Sequence, residues 1–454
     1  MRFRRQQLLF ILVILALVAG RECPADTHYV SLTGTNNSPY LNWADAATDV
    51  TWAVTAAAAN DTVLVTNGVY YPTQRCYNAS AIALQSVNGR DVTIINGTNN
   101  TNICALLGGG AVLDGFTVTN CNNTKIEGLL AISTVRNCLF VNNTVRGGTV
   151  GSDTLAITNC TNCIFKNNSA SSLAGAIEVE SGAGITIAGC HFEGNRSSTY
   201  YGGACDIRCK NNIISNCVFV NNSAKILGGA LFLSQYATNN LVVNCTFTGN
   251  VVAGGTEGYG GAIRSSGKTT VRNCSIIGNI ATNQGGGIWG TNITIQNCLI
   301  ARNSSLTNTG GGIWMTNGII ESCTIVSNYA KVAGGGVYIT GSDSSGTNNV
   351  IYFNTAANGA NFTNNTVGAV GLNYSCVIPA VGGIGNTTNN PILKNLAGGD
   401  YRLRITSPCV NAGTNLPWMT NAVDLDGNAR ILKIIVDMGA YETRIWQGTI
   451  FRVP

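Results

Sequence analysis

Hydrophobic and polar residues alternate in short runs along most of the chain, and clusters of Asn, Gly and Ser separate the runs. A period of two predicts strands, and the clusters predict the turns between them. The runs also repeat. Cys-x-(Phe/Ile)-x-x-Asn occurs eight times, with cysteines at Cys138, Cys163, Cys190, Cys217, Cys245, Cys274, Cys298 and Cys323. Its asparagines are Asn143, Asn168, Asn195, Asn222, Asn250, Asn279, Asn303 and Asn328. Successive cysteines lie 25, 27, 27, 28, 29, 24 and 25 residues apart, and weaker copies occupy residues 115–120 and 349–354. A second pattern, Gly-Gly-(Ala/Gly)-aliphatic, interleaves with the first. It ends at Leu231, Ile263, Ile288, Ile313 and Val337, with variants at Val150, Ile177 and Cys205.

Strands and turns at a period near 25 residues predict the stacked coils of a parallel β-helix. The leucine scaffold of a leucine-rich repeat is absent, and a propeller blade needs ~40 residues. Coils stacked at the ~4.8 Å strand spacing place equivalent residues in columns. Cys and Phe/Ile stand two apart and share a face, taken as inward. The repeated Asn is expected at a bend, where it tolerates left-handed backbone and bonds to its neighbours in a ladder. About ten to twelve coils are expected. Residues 43–59 read as an Ala-rich helix covering the first coil, strands start at residues 60–65, and residues 390–442 read as a closing β-rich cap. The expected organisation is a leader over 1–20, an N-terminal cap over 21–60, repeats over 61–378, a capping module over 379–442 and a tail over 443–454.

The Gly-Gly-Ala-Ile and Phe-x-x-Asn pairing resembles the repeats of chlamydial polymorphic outer-membrane proteins. More broadly the chain resembles the pectate-lyase-like superfamily of right-handed parallel β-helices. The segments Gly398-Gly399-Asp400-Tyr401-Arg402-Leu403, Ser407-Pro408-Cys409-Val410-Asn411-Ala412-Gly413 and Asp424-Leu425-Asp426-Gly427-Asn428 resemble the choice-of-anchor module of secreted bacterial β-helix proteins. These resemblances imply an all-β, right-handed, single-stranded parallel β-helix at a cell surface or outside the cell.

Composition agrees with secretion and narrows the chemistry. A basic stretch with Arg2, Arg4 and Arg5 precedes an apolar run of 13 residues and the small residues Val18, Ala19 and Gly20. The run is too short for a ~20-residue membrane span, so a cleaved secretory leader is expected. No later segment is long and apolar enough to cross a bilayer. Only 10% of the residues are charged, against ~25% in an average protein. Gly at 55 positions and this low charge exclude a coiled coil. The formal charge of +5 is reduced by the leader, without which 23 basic face 21 acidic residues, so no nucleic-acid partner is implied. Two histidines, His28 and His191, argue against His-rich metal sites and His-based triads.

Seventeen cysteines in a secreted chain permit disulfides. The eight repeated ones read as buried small hydrophobes, because in-register neighbours hold their Cβ atoms beyond the ~3.5–4.5 Å of a disulfide. Cys76 with Cys104, Cys205 with Cys209, and Cys376 with Cys409 are candidate bridges, with connectivity left open. Cys160-x-x-Cys163 has redox spacing but shares a ladder cysteine.

If the aliphatic residue closing the second pattern points inward, the next one points outward. Coil by coil that residue is Glu178, Asp206, Phe232, Arg264, Trp289, Trp314 and Tyr338. Two further on stand Glu180, Arg208, Ser234, Ser266, Thr291, Thr316 and Thr340. Phe232, Trp289, Trp314 and Tyr338 are carbohydrate-binding candidates, since aromatic rings stack on sugars; the competing reading is a ladder stacked on itself. Glu178, Glu180 and Asp206 are acid/base candidates for glycoside cleavage; the competing reading is a cross-strand ion pair. The lyase resemblance implies instead that carboxylates hold calcium while Arg208 or Arg264 removes a proton from an acidic sugar. Asp424-x-Asp426-x-Asn428 has calcium-ligand spacing; a structural cluster with Arg430 and Asp437 competes. Two functions from different classes follow: a non-catalytic surface or carbohydrate-binding protein, or an extracellular polysaccharide lyase or hydrolase. A polysaccharide or cell-surface glycan is the expected partner in both.

Overall fold

The computed structural model describes residues 24–444, apart from 74–76, 79, 99–105, 108–109, 124–133, 148–156, 183, 366–370 and 433. The leader over 1–20, Val150, the candidate bridge of Cys76 with Cys104, and the tail beyond 444 lie outside the described residues.

The chain winds into a right-handed parallel β-helix of about ten turns. One coil shows the plan: Ile177–Val179, then Thr186–Ala188, His191–Glu193 and Arg196–Ser197, before Cys205–Ile207 starts the next. Each segment joins its own sheet. Sheet I (14 strands) contains Thr186–Ala188, sheet II (13) His191–Glu193, sheet III (9) Arg196–Ser197, and sheet IV (8) Ile177–Val179. Sheets I and II run past the others at the ends. The coils stack in register: Phe140, Phe165, Phe192, Phe219, Phe247 and Ile276 are successive partners in sheet II.

That register builds the core. The five phenylalanine rings stack with centroids 4.9, 5.0, 4.7 and 4.6 Å apart and are fully buried. The eight ladder cysteines are buried free thiols. Each spans too little volume to strain the coil, and its S–H reaches a carbonyl two residues back, as Cys217 does to Ser215 O at 3.1 Å.

The asparagine ladder is the polar counterpart. Asn222 is fully buried and donates Nδ2 to Asn250 Oδ1 (3.0 Å) and to Phe192 O (2.9 Å). Its Oδ1 accepts from the backbone N (3.0 Å) and Nδ2 (3.0 Å) of Asn195. Only a primary amide supplies two donors and a two-fold acceptor at this length. The sequence pattern suggested one residue for both bend and ladder, but the structure divides the roles. The left-handed backbone falls on the preceding residue, Asn142, Asn167 or Asn221 (φ 56, 54 and 53°), and on Gly194 or Gly249 in other coils.

The N-terminal cap differs from expectation. Thr27–Val30 forms the first rung of sheet I and pairs with Thr62–Val65, ahead of the strand start expected near residue 60. The helix, α1, covers only Val50–Ala56, with Asp49 as N-cap accepting from Thr51 N at 2.8 Å. Residues before it are diverted to the loop that covers the first strand: Ala44 O and Ala46 O accept from the backbone of Thr35 and Asn36. Tertiary pairing thus overrides the helix propensity of the Ala-rich stretch. Val50, Ala53 and Val54 of α1 bury against the first coils.

The C-terminal module is not a plug on the end of the rod. Leu299, Ala301, Val326 and Val350 of sheet II are buried under Leu393, Tyr401, Leu403, Cys409 and Met438. Residues 393–442 therefore brace the last coils from the side, and residues 372–389 close the end, where Cys376 bridges to Thr387. Fully buried Arg430 fastens the brace, donating to Asn297 Oδ1 (3.3 Å) and Gly439 O (3.0 Å) and pairing with Glu442 (3.1 Å).

Two candidate bridges are corrected: Cys205, Cys209, Cys376 and Cys409 are free thiols. Both Cys205 and Cys209 belong to the core, and the Cys209 thiol donates to Asn212 Oδ1 at 2.9 Å. Cys121 is disulfide-bonded.

Neighbouring residues of one turn should respond oppositely to substitution. Asn222→Ala orphans buried partners on both adjacent coils and should cost about 3 kcal/mol or more. Asn221→Gly, at a left-handed position, should change stability by less than ~0.5 kcal/mol. Urea titration followed by circular dichroism checks both.

Candidate functional site

Sheet IV carries the chain's chemically varied outward columns. Its register pairs Glu178 with Asp206, Asp206 with Phe232, Phe232 with Arg264, Arg264 with Trp289, Trp289 with Trp314, and Trp314 with Tyr338. The column expected from the repeat thus stands on consecutive rungs at the ~4.8 Å strand spacing. Tyr201, Leu227, Tyr259 and Gln284 form a parallel row just before the glycine pairs.

At the upstream end four candidates come together. Asp206 is fully buried and accepts from Arg208 Nε (3.1 Å) and Nη2 (2.9 Å). Arg208 Nη1 donates to Glu180 Oε1 at 2.8 Å. Glu178 is buried beside Asp206. Burial pushes the Asp206 carboxyl up, against the hydrogen bonds of Arg208. Burial also pulls the Arg208 guanidinium down, but Asp206 and Glu180 outweigh it and hold it well above its ordinary value. Arg208 thus ties Asp206 and Glu180 into one ion-pair network. Arg264 stands apart from them, two rungs on, with Phe232 between.

Three of the aromatic candidates, Phe232, Trp289 and Trp314, form one stack that includes Arg264. Tyr201 lies on Phe232 at 4.7 Å, and the Arg264 guanidinium lies between Phe232 (5.1 Å) and Trp289 (4.8 Å). Trp289 and Trp314 stack at 4.7 Å with planes 3° apart. Both faces of Trp289 are thereby covered, one by Arg264 and one by Trp314. Sugar stacking needs an open face, which Trp289 does not offer. Phe232 is buried, whereas Trp289, Trp314 and Tyr338 are half-buried.

Beside the stack runs a groove of about 530 Å³, lined by Gln235, Ser266, Lys268, Asn292, Thr294 and Asn317 among others. It follows the corner between sheets IV and I, so its axis is that of the rod. Each coil adds one exposed corner residue in turn: Asn239, Lys268, Asn292, Asn317 and Asp343. Asn292 and Asn317 hold left-handed backbone (φ 51 and 52°), and their side-chain amides have no partner among the described residues. Beneath them Asn212 donates to Asn240 Oδ1 at 2.7 Å, and Asn240 to Thr269 Oγ1 at 3.0 Å. Sequence reasoning placed Ser266, Thr291 and Thr316 on this face but missed the corner. Its only signal is a polar residue just before the sheet I strand of each coil, blurred by turns of unequal length.

The calcium candidates close a turn. Asp424 Oδ1 accepts from the backbone of Asp426 (2.9 Å) and Asn428 (2.7 Å), and Oδ2 from Glu442 N (2.7 Å). Asp426 instead pairs with Arg402 at 2.6 Å. Asn428 directs its Nδ2 at Asp424. Among the described residues no group of three His, Cys, Asp or Glu is placed to hold a metal. Burial pushes the nearby Glu442 carboxyl up to about 8, against the pull of Arg430. A larger cleft of about 920 Å³ lies here, lined by Lys394, Arg402, Arg404, Asp426, Tyr441 and Arg444 among others. Arg402 is tied to Asp400 and Asp426, and Arg404 donates to Lys394 O, so the cleft's walls bind each other.

Residues 80–276 and 228–356 match the family model described as the right handed beta helix region. No curated protein matches the chain. Among solved structures, the A-module of the Azotobacter vinelandii mannuronan C-5 epimerase AlgE6 is 14% identical, covers 75% of this chain and 95% of its own, and has a TM-score of 0.44. The PL6-family alginate lyase AlyGC is 11% identical over 78% of this chain and 54% of its own, with a TM-score of 0.38. A rhamnogalacturonan lyase is 10% identical over 89% and 95%, with a TM-score of 0.25. Likeness of this degree says nothing about activity.

The ion-pair network has a pH signature. Arg208→Met leaves the Asp206 charge buried and should cost about 3 kcal/mol at pH 7. The Asp206 folded-state pKa lies above its unfolded value and rises further in the variant. The native state then holds the extra proton, and stability falls as pH rises through that window. The deficit should accordingly shrink as pH is lowered from 7 towards 4, read from urea titrations across that range.

Proposed function

This chain belongs to the right-handed β-helix family, and on that scaffold we propose a secreted or cell-surface protein that binds an extended polysaccharide along its corner groove without cleaving it. The observation that carries this reading is the groove itself. It runs along the rod, and successive coils add hydroxyls or unpaired amides at the strand spacing, of the order of one pyranose residue. Ser266, Thr294, Asn292 and Asn317 line it, at the corner next to the sheet IV rungs that carry Trp289 and Trp314. Neutral hydrogen-bonding groups next to half-buried aromatic side chains suit a sugar's mixed apolar and hydroxyl surface.

Binding is favoured over cleavage by what surrounds the acids. An acid/base pair must exchange protons with the substrate, and Glu180 and Asp206 are both engaged by Arg208. Extracellular placement rests on the expected leader and fits the Cys121 disulfide, since disulfides persist in oxidising compartments.

The chain from Arg21 onward, mixed with insoluble and soluble plant, algal and host polysaccharides, tests the reading by co-sedimentation and by reducing and unsaturated ends in the same tubes. Binding without shortening of the polymer is expected. Asn292→Gly with Asn317→Gly keeps the left-handed backbone and removes both amides. It should weaken binding about tenfold, equivalent to ~1.4 kcal/mol from two hydrogen bonds. Shortened polymer, abolished by Asp206→Asn in a folded protein, would replace this reading with an enzymatic one, and no bound polymer would remove it.

A further inference from the structure

One coil of the groove differs from the rest. Ser266 and Lys268 of this coil line the groove and Arg264 stands next to it on the sheet IV strand, while the rungs on either side present Phe232 and Trp289, Ser234 and Thr291, and the neutral corner residues Asn239 and Asn292. Two cations therefore share a coil within a neutral surface. Neither has a hydrogen-bond or ion-pair partner among the described residues. Asp206 lies two rungs away and is engaged by Arg208. Asp343 stands on the corner three coils further on.

Arg264 is not an ordinary surface arginine. Its guanidinium is clamped between the Phe232 and Trp289 rings, which strip water from both faces. Its Nε is buried without a partner, whereas the outer nitrogens remain accessible. Burial pulls its pKa down to about 10, so it stays charged at neutral pH. Desolvating a cation without a counter-charge is costly. A bound anion that accepts from the fork would offset that cost.

We propose that Arg264 and Lys268 form a subsite for a sulfate ester on the bound polysaccharide; this deepens the glycan-binding reading and rests on it. The choice of anion follows from the walls. Guanidinium is weakly hydrated, and its edge presents planar, fixed donors. A sulfate monoester spreads one charge over three oxygens and gives up water more readily than a carboxylate, so it enters a ring-walled site at lower cost. Its tetrahedral oxygens can meet the Arg264 fork while another faces Lys268 or the Ser266 hydroxyl. No bond forms or breaks.

Three polymers on one neutral backbone test this: dextran, carboxymethyl dextran and dextran sulfate, at matched charge density for the last two. Binding is measured with the chain from Arg21 at constant ionic strength, set with sodium chloride or with sodium sulfate. Dextran sulfate is expected to bind at least tenfold tighter than carboxymethyl dextran. Arg264→Gln with Lys268→Gln should lose at least tenfold of that affinity, and the remaining binding should be less salt-dependent. Lys268→Gln alone, at an exposed position, should lose severalfold and keeps the test valid if the double variant unfolds. Sodium sulfate should not displace the polymer beyond what chloride does; displacement would mean a free-anion site and would overturn the assignment to a glycan ester. Equal affinity for the two charged polymers, or variants that bind dextran sulfate as the parent does, would overturn the proposal while leaving glycan binding intact. Failure of every polymer, here and in the wider panel, would overturn both.

Discussion

Everything in this protein depends on coils stacking in register at one strand spacing. The backbone groups of one coil bond only to those above and below, so a shift by one residue would turn every inward side chain outward. The buried amide ladder opposes such a shift. Each of Asn143, Asn168, Asn195, Asn222, Asn250, Asn279 and Asn303 bonds to the next, and each also holds a backbone carbonyl near the sheet II strand of the preceding coil. A slipped coil would leave several of these groups buried and unpaired. Phenylalanines and thiols fill the space between, but apolar contact alone would tolerate slippage more readily than this directional network.

The same register makes the outside of the rod a surface of columns. Along sheet IV it sorts the surface into an ion-pair network, a cation clamped between rings, and a tryptophan pair. At the corner with sheet I it lines up exposed side chains, of which Lys268, Asn292 and Asn317 have no side-chain partner among the described residues. The contrast between satisfied and unsatisfied groups is what separates structure from function here. Arg208 is fully engaged, as is Asp424 in the lateral module. Asn292, Asn317, Lys268 and Arg264 are not.

The repeat was legible in the sequence because it expresses a local constraint many times over. One residue between Cys and Phe, and two between Phe and Asn, leave little freedom in where each points, and the outward column could be written down coil by coil. What remained illegible depends on contacts the repeat does not encode. The lateral seat of residues 393–442 follows from Leu299, Ala301, Val326 and Val350, which read as ordinary outward positions until a partner covers them. The Ala-rich stretch before α1 gives its carbonyls to Thr35 and Asn36, a tertiary pairing that propensity does not reveal. Stacking of the tryptophans on each other, rather than facing outward, is a rotamer outcome. The corner groove was hidden because turns of unequal length obscure which residues share it.

Hydrogen–deuterium exchange in the presence and absence of a bound polysaccharide tests the central claim most directly. If the groove holds the polymer, protection will be confined to segments around residues 234–239, 264–268, 289–294 and 314–319, on the sheet IV side and its corner with sheet I. Protection centred instead on Lys394, Arg404 and their neighbours in the lateral module, with the groove unchanged, would contradict the account.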